Sequence, residues 1–296
     1  MAGLVNLLSF DVEDWFQVEA FARLIPQAEW AGKNLRVEEN VDRLLELLDR
    51  YDVKATFFTL GWVAKKLPHL VRRVAAEGHE IASHGWSHAP LWRLTPASFR
   101  DEVRTSKSFL EDLSGQAVQG YRAATFSITR QTLWGLAVLK EAGYLYDSSI
   151  FPVRHDRYGI PDAPLSVHLR EEGIWEIPMT VYQIGSYRLP VAGGGYFRLY
   201  PYALTRRGIR EANRAGRPAV VYLHPWEFDP GQPRCPGVST LTRIRHYAGI
   251  GGNRKRLEKL LKEFRFTTAR QILTQDGVPA AAVSGNPAQV GGGLSA

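Results

Sequence analysis

Val5-Asn-Leu-Leu-Ser-Phe-Asp11-Val-Glu13-Asp14 is the stretch on which the reading of the fold turns. Its first six residues are a short, mostly apolar run of the kind that forms a buried strand, and three acids then arrive within four positions. Carboxylates directly behind a buried strand are costly to desolvate unless a cation compensates them. Strand alternation puts Asp11 and Glu13 on one side. Asp14 faces away if the strand continues, whereas a turn there brings it back.

Downstream, Val41, Leu44, Leu45 and Leu48 repeat at the i, i+3, i+4, i+7 spacing of an amphipathic helix. Residues 53–60 read as a second buried strand. Leu67, Leu70, Val71 and Val74 mark another helix, with Gly78 placed to cap it. Residues 80–83 form a third strand that delivers His84 into a loop. A longer helix is expected over 95–113, with Pro96 at its start and Gly115 after its end. A strand over 118–122, a helix over 129–142 and a strand over 145–148 continue the alternation. The rhythm breaks over 151–202, which is rich in proline and contains Gly193-Gly194-Gly195; loops and hairpins are expected there. It resumes with a helix over 203–215 and a strand over 219–223. Residues 229–252 read as a long loop, 253–264 as a basic helix and 268–273 as a final short helix.

Alternating strands and helices imply an α/β fold, a distorted parallel (β/α) barrel of about seven strands. The expected organisation is a single domain over residues 1–228, an extension over 229–275 packed on the barrel, and a disordered tail over 276–296. In a parallel barrel the reactive groups gather at the C-terminal ends of the strands. Residues 11–14, residues 84–88, Arg122 and His224 all fall at such ends, and so should share one face.

Composition narrows the function classes. The chain has 296 residues, 45% apolar and 23% charged, an ordinary globular balance. Its longest apolar runs are far too short to cross a bilayer. The first ten residues lack a basic n-region and a cleavage site, so they read as a core strand and a cytoplasmic location is expected. Cys235 is the single cysteine, which fits a reducing compartment. The net charge of +7 is carried by scattered residues, densest at Arg254-Lys255-Arg256, and no nucleic-acid motif accompanies it. Nucleic acid is therefore not expected as a partner, while attraction to an acidic glycan or an anionic membrane surface stays open.

Three further segments carry chemistry. His84-Gly-Trp-Ser-His88 offers two imidazoles four apart, a spacing that reaches one divalent ion. Alone the pair is weak, since two surface or capping histidines give the same pattern. His224 ends the apolar run 220–223, where a packing histidine and a general acid or base look alike. Arg122, after Gly120-Tyr121, is placed to hold a buried carboxylate ionised and oriented.

Taken in order, these segments resemble the polysaccharide deacetylase family, the NodB-homology or carbohydrate esterase family 4 domain, over residues 7–226. Lys54-Ala-Thr-Phe-Phe-Thr-Leu-Gly61 and Gly78-His-Glu-Ile-Ala-Ser-His84 look like further family signatures. The resemblance implies Asp11 as catalytic base, His84 and His88 as metal ligands, His224 as general acid and Arg122 as the arginine touching the base. Asp147, in Tyr146-Asp-Ser-Ser149, matches an aspartate segment associated with the acid histidine. Two departures stand out. Val12 occupies the slot where the commonest pattern has its metal-binding aspartate. A branch with Asp-x-Asp and His-Gly-aromatic-Ser-His looks closer, which points to Glu13 as the ligand with Asp14 in reserve. Ala124 stands where a proline is usual.

Phe10-Asp-Val-Glu-Asp-Trp15, Gly193-Gly-Gly-Tyr-Phe-Arg198 and His224-Pro-Trp-Glu-Phe-Asp229 are similar to a bacterial subgroup that accompanies exopolysaccharide synthesis and exosortase systems. The implied activity is a metal-dependent hydrolase removing N-acetyl groups from amino sugars of an exopolysaccharide or its precursor. Zinc is the ion favoured, with cobalt, nickel and manganese as alternatives. The implied partner is an N-acetylated glycan, with room for association with membrane-bound polysaccharide machinery. Trp15, Trp86, Tyr196 and Trp226 are candidates for stacking on sugar rings, or for the core. Competing readings are an amidohydrolase on a small non-sugar amide, a glycosidase pairing Asp11 with Glu227, and an inactive glycan-binding scaffold.

Overall fold

The computed structural model describes residues 3–278. Its centre is a curled sheet that grows outward from the first strand. That strand, β1 (Val5–Val12), pairs in parallel with β2 (Thr56–Thr59), and β2 with β3 (Glu80–Ser83). The sheet continues through β4 (Gly120–Tyr121) and β5 (Tyr146–Asp147). Next come β6 (His168–Leu169) and β7 (Trp175–Glu176); β7 runs parallel to β5, and β6 adds antiparallel at the edge. A separate hairpin joins β8 (Val181–Ile184) to β9 (Tyr187–Pro190). On the other side of β1 lies β10 (Val220–Leu223), and β11 (Arg265–Thr267) runs beside Val5, Asn6 and Leu7.

Seven parallel strands in the order β10-β1-β2-β3-β4-β5-β7 make the distorted barrel that the alternation implied. Its seam lies between β7 and β10. There the backbone at Gly193 bridges Tyr222 instead of a further full strand. Gly193 is required by close approach: a Cβ would sit 2.2 Å from the Tyr222 ring.

Strand alternation sorts the two cores. Leu8, Phe10, Phe57, Ile81, Val221 and Leu223 face outward into the helices, while Leu7, Phe58, Ala82, Tyr146, Val220 and Tyr222 fill the inside of the curl. Asp11 and Glu13 continue the inward set from Leu7 and Ser9. The helices Val37–Arg50, Pro68–Ala76, Pro96–Ser114, Trp134–Glu141 and Tyr202–Arg214 follow the expected periodicities. Thr95 caps the longest of them, and Gly115 ends it in the left-handed conformation.

The main differences from expectation lie in the C-terminal part. Residues 151–202 contain the expected hairpin but also a helix, Gly194–Leu199, which the triple glycine obscured. The long loop expected over 229–252 contains the helix Thr240–Tyr247 and the start of Ile250–Glu263. The short strand β11 had no periodic signal. The helix Ala269–Gln275 was expected. It lies at the N-terminal ends of the strands, where its backbone N–H groups at Ala269 and Arg270 donate to Thr56 Oγ1 and Glu80 Oε2. Nearly all of the tail expected over 276–296 lies outside the described residues.

Candidate active site

The residues that the strand-end rule placed on one face do meet there. Glu13, His84 and His88 form a group whose potential ligand atoms all lie within 4.8 Å of one another, all three residues being buried. Backbone turns deliver each of them. Past Val12 the chain leaves the sheet, so Glu13 keeps the inward direction set by Asp11. His84 follows β3 directly, and Gly85 turns the chain with φ +76°. The Trp86 and Ser87 N–H groups then donate to Glu102 Oε2, each at 3.1 Å, anchoring the loop on the helix Pro96–Ser114. His88 itself adopts φ +58°, an unfavourable conformation for a non-glycine residue that the surrounding contacts hold in place.

The donor chemistry fits a divalent cation. His84 Nδ1 donates to the Arg122 carbonyl at 2.8 Å, which leaves Nε2 as the available lone pair. Burial lowers the His84 pKa to about 4, so the ring is neutral at pH 7. Glu13 Oε1 accepts from Trp226 Nε1 at 3.1 Å, while Oε2 has no hydrogen-bond partner and lies 2.6 Å from His88 Nε2. Burial works against charge on Glu13, but His88, His224 and His84 outweigh it and hold the carboxyl well below its ordinary range. An orphaned, ionised carboxylate oxygen facing two imidazoles suits a borderline-soft divalent ion.

Asp14, the reserve candidate, does not join this group. Its Oδ2 accepts from the N–H groups of Arg36 at 2.7 Å and Val37 at 3.0 Å, and its Oδ1 from Trp15 N at 2.8 Å. It caps the helix Val37–Arg50 instead. Burial raises its pKa to about 6.

Asp11 lies under Arg122. The guanidinium, fully buried, donates from Nη1 to Asp11 Oδ1 at 2.7 Å and to Ser9 Oγ at 2.8 Å, and from Nε to the Ser148 carbonyl at 3.0 Å. It also stacks 4.0 Å above the Phe58 ring. One arginine thus ties β1, β4 and the loop after β5 to a single carboxylate. The turn after Ala124, where a proline was expected, carries Thr125 and Phe126 at φ +58° and +52°.

His224 follows β10 and presents Nε2 to the same space, 3.7 Å from Asp11 Oδ2 and 3.8 Å from Glu13 Oε1. Burial opposes charge on this ring, yet Glu227, Glu13 and Asp11 outweigh it and lift its pKa to about 9. Asp147 does not accompany it. Asp147 accepts from Ser149 Oγ at 2.6 Å and Ser149 N at 3.0 Å, and interacts with the buried Glu176 of β7. Burial raises both carboxyls of this pair. Ser149 Oγ in turn accepts from Ala123 N at 2.7 Å, so Asp147 supports the arginine loop, not the histidine.

Glu176 carries no signal in the sequence, while Arg198 and Glu227 are marked there only by the segments 193–198 and 224–229 and, for Glu227, by the glycosidase alternative. Of the candidate stacking residues, Trp15 and Trp226 are buried, whereas Trp86 and Tyr196 are half-buried. Trp226 is sandwiched between His224 and His246, its centroids 5.2 Å and 4.3 Å from theirs.

A barrel that opens through a strand-end cluster of two histidines, a glutamate and an arginine-bound aspartate defines a class of candidate metal-site hydrolases. Residues 31–146 match the family described as polysaccharide deacetylase, and residues 148–274 match a domain of unknown function, DUF3473. The likeness to the polysaccharide deacetylase family thus covers residues 31–146, which hold His84, His88 and Arg122 but not Asp11, Glu13 or His224.

A chitooligosaccharide deacetylase of Bradyrhizobium sp. (strain ANU 289) is 37% identical over 100 residues, 34% of this chain and 45% of that protein. A peptidoglycan-N-acetylglucosamine deacetylase of Bacillus cereus is 38% identical over 79 residues, 27% of this chain and 29% of that protein. The matches therefore span less than half the length of these curated relatives. In fold, a protein from Mycobacterium smegmatis assigned as a polysaccharide deacetylase superposes with TM-score 0.58 at 20% identity, over 94% of this chain and 96% of that one.

Proposed function

We propose that the protein is a divalent-metal-dependent deacetylase that hydrolyses the N-acetyl group of an amino sugar in a glycan, releasing acetate and a free amine. The observation that carries this reading is the convergence of Glu13, His84 and His88 with Asp11 and His224 on one buried face. Glu13, His84 and His88 hold the ion, for which zinc is the favoured occupant. When bound, the ion supplies Lewis-acid polarisation of the acyl carbonyl.

The remaining work falls to the chain itself. Asp11, fixed by Arg122, accepts a proton from the attacking water. His224 donates a proton from Nε2 to the departing nitrogen, without which an amine is a very poor leaving group. Asp11 Oδ2 and His224 Nε2 lie 3.7 Å apart, so base and acid face the same scissile bond. The substrate proposed is an N-acetylated exopolysaccharide or its precursor, following the subgroup likeness of the segments 193–198 and 224–229.

The test is acetate release from a panel of N-acetylated and O-acetylated oligosaccharides, with protein loaded with zinc, cobalt, nickel or manganese and with chelated protein. Metal-dependent acetate release from an N-acetylated member is the expected outcome. A metal-loaded protein that releases acetate from none of them refutes the reading.

A further inference from the structure

The carboxylate that reaches the far side of His224 is Glu227, whose Oε2 lies 3.3 Å from Nδ1. The two residues belong to one short turn, Pro225–Phe228 and its cap, and Glu227 Oε2 also accepts from the His224 backbone N–H at 2.9 Å. Glu227 is wholly buried. Its other oxygen accepts from Arg198 Nε at 2.9 Å. Arg198 comes from the helix Gly194–Leu199, which starts within the triple glycine, and it too is buried. Its remaining donors go to three carbonyls: His246 at 3.0 Å, Ala248 at 2.6 Å and Arg245 at 3.1 Å.

Both Glu227 oxygens accept hydrogen bonds, and Oε2 in addition faces Nδ1 of the imidazole, a buried nitrogen with no hydrogen-bond partner of its own. A fully desolvated ion pair gives little net stability, because removal from water offsets the attraction. An apolar pair of similar volume would hold the same three segments together. The charge has a use only where it acts on something, and the group within its reach is His224. Trp226 meanwhile lies 24° from the plane of the His224 ring and limits its tilt.

We propose that Arg198 and Glu227 are a positioning pair that holds the Nδ1–H of His224 and thereby aims its Nε2 at the leaving nitrogen. The pair takes the place in which the family resemblance had set Asp147. It also gives residues 229–275 a link to the chemistry, because the carbonyls of Arg245, His246 and Ala248 fix the Arg198 guanidinium. The proposal rests on the deacetylase reading for the role of His224, but its hydrogen bond is testable without turnover.

The experiment compares two substrates in the metal-loaded protein: the best N-acetylated oligosaccharide of the panel, and 4-nitrophenyl acetate, whose phenolate leaves without a proton. Glu227→Gln keeps the volume and removes the charge. It should lower kcat on the amide by about 100-fold, within the usual range for a general acid, while leaving KM and the ester rate within a few-fold. Glu227→Asp should recover part of the loss. The double variant Arg198→Met with Glu227→Gln removes both buried charges, which guards against misfolding from an unpaired guanidinium, and should show the same amide-selective loss. Amide and ester rates that fall together, or an amide rate that does not fall, overturn the pair.

Histidine-selective 15N NMR provides the second readout. A downfield Nδ1–H signal assigned by its absence in His224→Ala should be present in the parent and lost in Glu227→Gln. Its absence from the parent overturns the proposal even if the protein proves inactive on every glycan, an outcome that refutes the deacetylase reading separately.

Discussion

Residues 3–146 and 148–274 divide the site unequally, and they do so in different physical styles. The first segment is built from short strand-helix units, and each site residue stands at or past the C-terminal end of a strand. His84, His88 and Arg122 are positioned by the strand before them and by one or two backbone turns. In the second segment a single site residue, His224, follows a strand, and its environment is made by tertiary contacts. Arg198, Glu227, Trp226 and His246 converge from a helix, a short turn and the far side of the extension. Local geometry thus suffices to place the two proposed metal-binding histidines, whereas the proposed acid, which must present one nitrogen and shield the other, draws on groups far apart in sequence.

If the histidine of the second segment serves the chemistry and not the ion, then His224→Gln should retain the metal content of the parent. It should lose about 10²- to 10⁴-fold in kcat on an N-acetylated substrate. Paired metal analysis and acetate assays check this, and loss of metal would place His224 with the ligands instead.

Arg122 tests the opposite claim for the first segment, that its reach into the sheet is structural as well as catalytic. Arg122→Met leaves Asp11 buried without its guanidinium and frees Ser9 and the Ser148 carbonyl. Unfolding free energy from denaturant titration should fall by about 3–5 kcal/mol, the usual cost of breaking a buried pair. A fall of well under 1 kcal/mol would mean the pair is dispensable to the fold.

A smaller effect sits at the boundary between the segments, where Asp147 faces Glu176. The Asp147 pKa is raised from 3.8 to about 6 by burial, so its charged form is the one the fold disfavours. Its stabilising contribution is complete below pH 3.8 and is lost as pH rises through about 6. Glu176→Gln removes the neighbouring carboxyl. The drop in Tm between pH 5 and pH 8 should then be smaller than in the parent by a few degrees. An equal or larger drop would show that the two carboxyls do not share a proton.

The same contrast explains what could be read from the sequence. In the first segment the apolar spacings located helices and strands to within a few residues, and the inward parity of Leu7, Ser9, Asp11 and Glu13 was available from period two alone. The choice between Glu13 and Asp14 was not, because it depends on a turn after Val12 and on the unpaired N–H groups of Arg36 and Val37, which draw Asp14 away. In the second segment, proline and glycine broke the periodicity that would have announced the helices Gly194–Leu199 and Thr240–Tyr247. Arg198 and Glu227 stood in the segments 193–198 and 224–229 without any sign that they pair, since nothing local marks a residue whose partner is 29 positions away. Charge distribution carries a further signal. Residues 229–275 hold ten lysines and arginines against three acids, so they carry a net charge equal to the chain's whole +7. The net charge is concentrated there, while the remaining 27 basic residues are balanced by 27 acids.

The proposed metal site turns on which carboxylate completes the histidine pair. Metal per chain, measured after loading and desalting for the parent, His84→Ala, Glu13→Gln and Asp14→Asn, decides it. The expected result is one ion per chain in the parent and in Asp14→Asn, with loss of the ion in His84→Ala and Glu13→Gln. Metal retained by Glu13→Gln and lost from Asp14→Asn would contradict it.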